Sequence, residues 1–236
     1  SEPMSKNQRI LVVDDEPETV RYVSANLKAR GFEVIAASDG TEALKEAEEQ
    51  VVDLILLDLS MPGPDGFEVC QRIRQFSNVP IIILSARGRE LDKVKALDLG
   101  ADDYMTKPFG IEELMARVRA ALRRGQQEGA GAVPPLEVEG LRIDFAARRV
   151  TVNGREVRLT PTEYGLLALL ARNAGKVLTH RALLNGVWGP EYGQESEYLW
   201  AYTRRLRKKL EPNPDQPKYI ITEPGVGYRL RSIQEG

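Results

Sequence analysis

The sequence predicts an α/β protein in two parts: a doubly wound five-stranded parallel sheet, then a C-terminal winged helix-turn-helix. Three observations carry this. Apolar runs alternate with helical patterns five times across the first half. A stretch rich in glycine and proline follows at 125–135. Beyond it, three helical segments precede a closing hairpin. The expected boundaries are 8–124, a flexible linker at 125–135, and 136–232.

The front-half strands are expected at 9–13, 32–36, 52–57, 79–84 and, more weakly, 102–105. Most read as continuous apolar runs rather than alternating ones, which marks strands buried on both faces of a parallel sheet. Helical patterns lie near 17–30, 40–50, 65–76, 87–99 and 111–124. The linker has three glycines and two prolines, and as a random coil it spans about 15–20 Å.

The back half starts with short extended pieces at 136–138, 141–144, 150–152 and 157–159. Asn153-Gly154 between two of them is a hairpin signal. Thr160-Pro161-Thr162-Glu163 reads as a capping box with proline at the first helical position, opening a helix to about Arg172. Thr179 caps a second helix through Val187, and a third runs from Ser196 to Leu210, before Pro212. Residues 219–222 and 227–230 form the hairpin, with Gly225 and Gly227 expected to give its tight turn.

Composition bounds the function. The 236 residues are 42% hydrophobic and 29% charged, as in a globular protein. No apolar stretch approaches the roughly 18 residues of a membrane span, so no membrane role and a cytoplasmic location are expected. The lone Cys70 suits a reducing compartment. Ser1-Glu2-Pro3 ahead of Met4 reads as a cloning remnant. The net charge of −2 hides an asymmetry. Residues 1–124 carry 17 Lys+Arg against 22 Asp+Glu, whereas 134–236 carry 16 against 12. A basic second half points toward a polyanion.

The chemistry lies at the strand ends. Asp14 and Asp15 end the first apolar run, Asp58 the third, and Lys107 follows the fifth. In an open parallel sheet these ends gather at one edge, where ligands bind. Asp58 is the expected phosphoryl acceptor, because a carboxylate needs no general base to act as a nucleophile. Asp15 and Asp58 can ligate Mg²⁺ directly, Asp14 through water, and the Ser60 carbonyl adds an oxygen. Lys107 can pair with phosphoryl oxygens, and the Ser85 hydroxyl can bond one of them.

These residues resemble the receiver domain of bacterial response regulators. Val12-Val13-Asp14-Asp15-Glu16, Leu56-Leu57-Asp58-Leu59-Ser60-Met61-Pro62-Gly63, Ser85-Ala86-Arg87 and Lys107-Pro108-Phe109 carry the resemblance, over about 8–124. It implies a flavodoxin-like sheet and a sensor histidine kinase that phosphorylates Asp58. It also implies a Lys107–Pro108 bond of the kind often cis, and an acyl-phosphate lifetime tuned by Ser60 and Arg87. The residues alone leave Tyr104 open between an ordinary half-buried aromatic and a switch. The resemblance implies the switch, with Tyr104 turning inward as Ser85 moves to the phosphate. It further implies a phosphorylation-dependent homodimer, with Lys93–Glu113, Asp103–Arg117 and Asp98–Arg119 paired across a twofold axis. Helical arithmetic puts Glu113 and Arg117 on one side of the last helix and Arg119 on the other.

On the third back-half helix, Leu199, Thr203, Leu206 and Leu210 fall within about 60°. Ala201, Arg204, Arg205 and Lys208 lie opposite, with Glu197. Arg207 and Trp200 flank one side, and Tyr202 the other. A basic face there is what major-groove reading needs. Ala201, Tyr202, Arg204, Arg205, Arg207 and Lys208 are the expected DNA contacts, with Arg229 of the hairpin. This half resembles the effector domain of the OmpR/PhoB subfamily through Leu159–Tyr164, Leu183–Gly189, Arg204–Leu210 and Gly225–Arg229. Tyr198-Leu199-Trp200-Ala201-Tyr202, with Val187-Trp188-Gly189-Pro190 upstream, is more similar to regulators of potassium-transport operons. His180 is expected to pack at the start of the second helix.

The expected function is that of a two-component response regulator, not an enzyme, that binds promoter DNA as a dimer and meets RNA polymerase. One alternative is a DNA-binding protein whose receiver dimerises without phosphate. Another is a Mg²⁺-dependent phosphatase, for which the sequence offers no separate substrate-binding cap.

Overall fold

The structure is a computed structural model that describes residues 7–126 and 133–233. The expected cloning remnant and most of the expected linker (127–132) lie outside the described residues. The chain divides into two compact units, Ser1–Leu122 and Arg123–Gly236.

The first unit alternates β1 (Arg9–Val13), α1 (Pro17–Ala29), β2 (Glu33–Ala37), α2 (Gly40–Glu49), β3 (Leu54–Leu57), α3 (Gly66–Arg74), β4 (Ile81–Ser85), α4 (Glu90–Leu99), β5 (Asp103–Thr106) and α5 (Ile111–Gln126). The strands are parallel in the order β2-β1-β3-β4-β5. Both faces are covered. Ile10, Val12, Leu54, Leu56, Ile82, Leu84 and Met105 share one core with Val23 and Leu27 of α1 and Leu114, Met115 and Val118 of α5. The intervening strand residues Leu11, Val13, Ile55, Leu57 and Ile83 are also buried, on the opposite face.

β2, β3, β4 and β5 each start one or two residues later than their apolar runs, and at two of these starts a carboxylate takes a backbone amide of the neighbouring strand. The Asp53 side chain takes the Arg9 amide at 2.8 Å before β3. The Asp102 side chain takes the Ile81 amide and the Arg74 guanidinium, each at 2.8 Å, before β5. At the other boundary, α5 continues through Gly125 and Gln126, which were expected in the linker. Glutamine favours helix, and Arg123 and Arg124 in the last turn complement its dipole.

The second unit opens with β6 (Leu136–Val138), β7 (Leu141–Asp144), β8 (Arg149–Val152) and β9 (Arg155–Val157), an antiparallel sheet in that order. Asn153 and Gly154 both have positive φ, 51° and 80°, as the tight hairpin turn requires. That turn starts β9 two residues earlier than expected. Then come α6 (Pro161–Arg172), β10 (Leu178–Thr179), α7 (His180–Val187), α8 (Ser196–Leu210), β11 (Ile220–Glu223) and β12 (Gly227–Leu230). The Thr160 capping box and the Thr179 cap are both formed. The hairpin gains a third strand, β10, giving the order β10-β12-β11. This corrects the expected role of Gly227. A Cβ there would meet the Leu178 carbonyl oxygen at 1.8 Å, so Gly227 permits close strand approach, while Gly225, at φ 73°, supplies the turn.

The three helices enclose Leu167, Leu183, Leu184, Leu199, Tyr202 and Leu206. Trp188 lies edge-on to Tyr202 and Tyr198, with ring centroids 5.0 and 5.6 Å apart. His180 packs beside Tyr228, and Cys70 is buried on α3.

Candidate functional site

Strand register assembles the acidic cluster. Val13 lies opposite Leu57, so the next residues, Asp14 and Asp58, leave the sheet side by side. Backbone bonds past the strand ends hold them there: Asp14 N–H to Ala37 O, Asp58 N–H to Val13 O, and Lys107 N–H to Ser85 O. Asp14 and Asp58 are buried, whereas Asp15 is exposed. One carboxylate oxygen from each of the three lies within 4.8 Å of the others. The Lys107 ammonium is 2.7 Å from Asp14 and 3.9 Å from Asp58. The Lys107–Pro108 peptide bond is cis. Gly66, first residue of α3, lies against the acceptor loop; a Cβ there would meet the Asp58 carbonyl oxygen at 2.3 Å.

The Asp58 carboxyl pKa is raised from 3.8 to about 6, with burial the largest of the influences on it. Lys107 draws it down, Asp14 pushes it up, the Ser60 amide lowers it, and Asp15 raises it. Burial works against the charge on Lys107, but Asp14 and Asp58 together hold its pKa above the usual value. The donor set is all oxygen, so it fits a hard divalent cation rather than a thiophilic one. The three carboxylates could hold such an ion, which would relieve their mutual repulsion.

Around this cluster, the Ser85 hydroxyl accepts from the Arg87 amide at 3.1 Å. The Arg87 guanidinium donates to the Ser60 hydroxyl at 3.2 Å, which ties together the loops after β3 and β4. Tyr104 was expected to turn inward only on phosphorylation. Here it is already buried, and its hydroxyl donates to the Arg87 carbonyl. Burial pushes the Tyr104 phenol pKa up, and a hydrogen bond with Ser85 pulls it back. That pair of anchors explains the inward position.

The face of α8 differs from its expected one. Ala201 and Tyr202 are fully buried and Arg205 nearly so. None of the three lies on the outward stripe. The stripe is Glu197, Trp200, Arg204, Arg207 and Lys208, at helical spacings of three and four. Arg205 lies 3.4 Å from the buried Glu163 carboxylate and stacks on Tyr202 at 4.2 Å. Arg207 donates to the Ile220 carbonyl and the Thr222 hydroxyl, which fastens the hairpin to α8. Arg229 pairs with Glu223 at 2.8 Å on the same hairpin.

Residues 10–119 match the response regulator receiver domain family, and residues 154–230 match the C-terminal domain family of transcriptional regulatory proteins. The chain belongs to the OmpR/PhoB family of response regulators. It is 47% identical over 223 residues to the transcriptional regulatory protein KdpE of Mycobacterium tuberculosis H37Rv, covering 94% of this chain and 99% of that protein. It is 48% identical over 221 residues to KdpE of Escherichia coli K12, covering 94% and 98%. The expected likeness to that subgroup is therefore borne out. The structure of DrrB, a Thermotoga maritima OmpR/PhoB homologue, is similar at a TM-score of 0.52 and 32% identity, covering 96% of this chain and all of that one.

In this response regulator three of the residues expected to pair across the dimer are joined within one chain. Arg117 lies 2.7 Å from Asp103 and 2.9 Å from Glu113. The Glu113 pairing is the ordinary i,i+4 spacing of a helix. Lys93 sits 6.0 Å from the Tyr104 ring centroid, Asp98 is half-buried, and Arg119 is exposed.

Sequence reading assigned Glu163 only to its cap. The structure adds a larger part: Glu163 joins α6 to α8 through Arg205 and through Lys209 at 2.8 Å. Burial pushes its carboxyl pKa up, but Arg205 and Lys209 hold it below the usual carboxylate range. Two cations at spacing four on α8 were the available signal. Among the described residues no helix is long and apolar enough to cross a membrane.

Proposed function

We propose that this response regulator is phosphorylated on Asp58 by a sensor histidine kinase and then binds promoter DNA as a dimer. The observation that carries this reading is Asp58 itself, a buried carboxylate with Asp14, Asp15 and Lys107 converging on it. In the transfer, an Asp58 oxygen bonds to phosphorus as the P–N bond of a phosphohistidine breaks, and the imidazole nitrogen leaves with the electron pair. Lys107 pairs with the transferred oxygens, and the Ser85 hydroxyl donates to one of them. Mg²⁺ would be held by Asp15, Asp58 and the Ser60 carbonyl, and through water by Asp14, and would supply charge neutralisation there.

The DNA contacts we assign are Arg204, Arg207 and Lys208 on the outward stripe, with Arg229 at the hairpin. Nearly half identity to two KdpE proteins supports a potassium-transport operon as the target. RNA polymerase is the natural further partner of a promoter-bound regulator.

Asp58→Ala tests the reading. Incubated with a small-molecule phosphodonor and Mg²⁺, the unaltered chain is expected to be labelled and the variant not. Equal labelling of the variant would sink the site. One observation favours a second reading, a receiver that dimerises without phosphate: Tyr104 is already turned in. Measuring oligomeric state with and without phosphodonor separates the two.

A further inference from the structure

Trp200 is an oddity on the α8 stripe. It is 51% exposed, the one large apolar side chain among Glu197, Arg204, Arg207 and Lys208. The Arg204 guanidinium stacks over its ring at 4.2 Å. Nothing in the fold requires a wet indole there, because the buried face of α8 is already filled by Tyr198, Leu199, Tyr202 and Leu206.

We propose that Trp200 is a base-reading residue that takes a thymine 5-methyl group in the major groove and presents Arg204 to a neighbouring guanine. The inference rests on the DNA-binding reading and deepens it. Three arguments lead to this occupant. The surrounding charge is cationic and complements a phosphate backbone. Trp200 lies in the N-terminal third of the helix, the part of a recognition helix that reaches base edges. The major groove offers a single apolar feature, the methyl of thymine, and a single double-acceptor purine edge, that of guanine. A stacked guanidinium is preorganised, so less rotamer freedom is lost when it grips O6 and N7. The pair therefore reads a thymine beside a guanine, and the spacing is fixed by the stack.

The test uses the full-length chain and duplexes that it selects from a random library. Each thymine of the selected site is replaced in turn by deoxyuridine, which removes only the methyl group. At one position per half-site, binding is expected to weaken about fourfold, the value of one buried methyl. Trp200→Ala is expected to fold, because the side chain is half exposed, and to lose this sensitivity along with the thymine preference in its own selected site. Three results overturn the proposal. One is a deoxyuridine scan that is neutral throughout. Another is a Trp200→Ala chain that keeps the sensitivity. The third is a variant with unchanged site selection that fails only in transcription with RNA polymerase, which would place Trp200 against the polymerase. Failure to select any duplex would instead remove the DNA-binding reading itself.

Discussion

As the proposed phosphoryl acceptor, Asp58 must be buried enough to exclude water from an acyl phosphate, yet charged enough to attack phosphorus. With its carboxyl pKa at about 6, it is mostly ionised at neutral pH, with limited margin. Folding bears the cost of that compromise. The folded carboxyl binds its proton near pH 6 and the unfolded one near 3.8, so between those values the folded state holds more protons. Stability therefore falls as pH rises through that window. Asp58→Asn removes the charge and keeps the shape, and Lys107 retains Asp14 as a partner. Without divalent cations, the variant is expected to melt above the unaltered chain at pH 7.5 and together with it at pH 4. A pH-independent offset between the two melting curves would contradict this origin. The acidic residues were legible in the sequence because each follows an apolar run, and parallel register does the rest. The identities of the α8 contacts were less legible. Helical periodicity treats Arg205 as outward, but a buried carboxylate on another helix, Glu163, draws it in.

At the scale of the element, α8 is held by charge as well as by apolar packing. Glu163 is fully buried between Arg205 and Lys209, and its depressed pKa means that its stabilisation is present above about pH 4.5 and lost as pH falls through its folded value. Glu163→Ala leaves Arg205 buried without this carboxylate. A loss of about 3–5 kcal/mol is expected, the usual result of breaking a buried pair. Denaturant unfolding of the variant checks it, and a loss below 1 kcal/mol would mean that water reaches the pair. Lys208, outward and exposed, belongs to the other side of the same helix. Lys208→Ala is expected to weaken binding to all duplexes alike and to reduce the log–log salt slope by about 1. A change confined to one sequence would make it a base contact instead. The strand β10 shows why short elements escape a sequence reading: two residues carry no period, and only the glycine at 227 lets the hairpin approach them.

For the whole molecule, the proposed function requires that the state of one carboxylate decide whether two copies meet. The surface from α4 to α5 carries the expected dimer residues, but Arg117 already has Asp103 and Glu113 as partners in its own chain. Asp103 is fully buried and holds Arg117 in place, whereas Glu113 is exposed and can change partners at little net gain, so charge here supplies register rather than affinity. Affinity needs apolar area. Leu91, at the start of α4, is 81% exposed and two residues from Lys93, the first of those charges. Burying such a side chain contributes about 2 kcal/mol per copy, or twice that across a twofold axis. Leu91→Glu is therefore expected to weaken the phosphorylated dimer by at least a hundredfold while leaving phosphorylation of Asp58 unchanged. Sedimentation of the phosphorylated chain over a concentration series measures it. If the variant dimerises like the unaltered chain, the interface lies on another face, and the charges from Lys93 to Arg119 serve only to keep this one solvated.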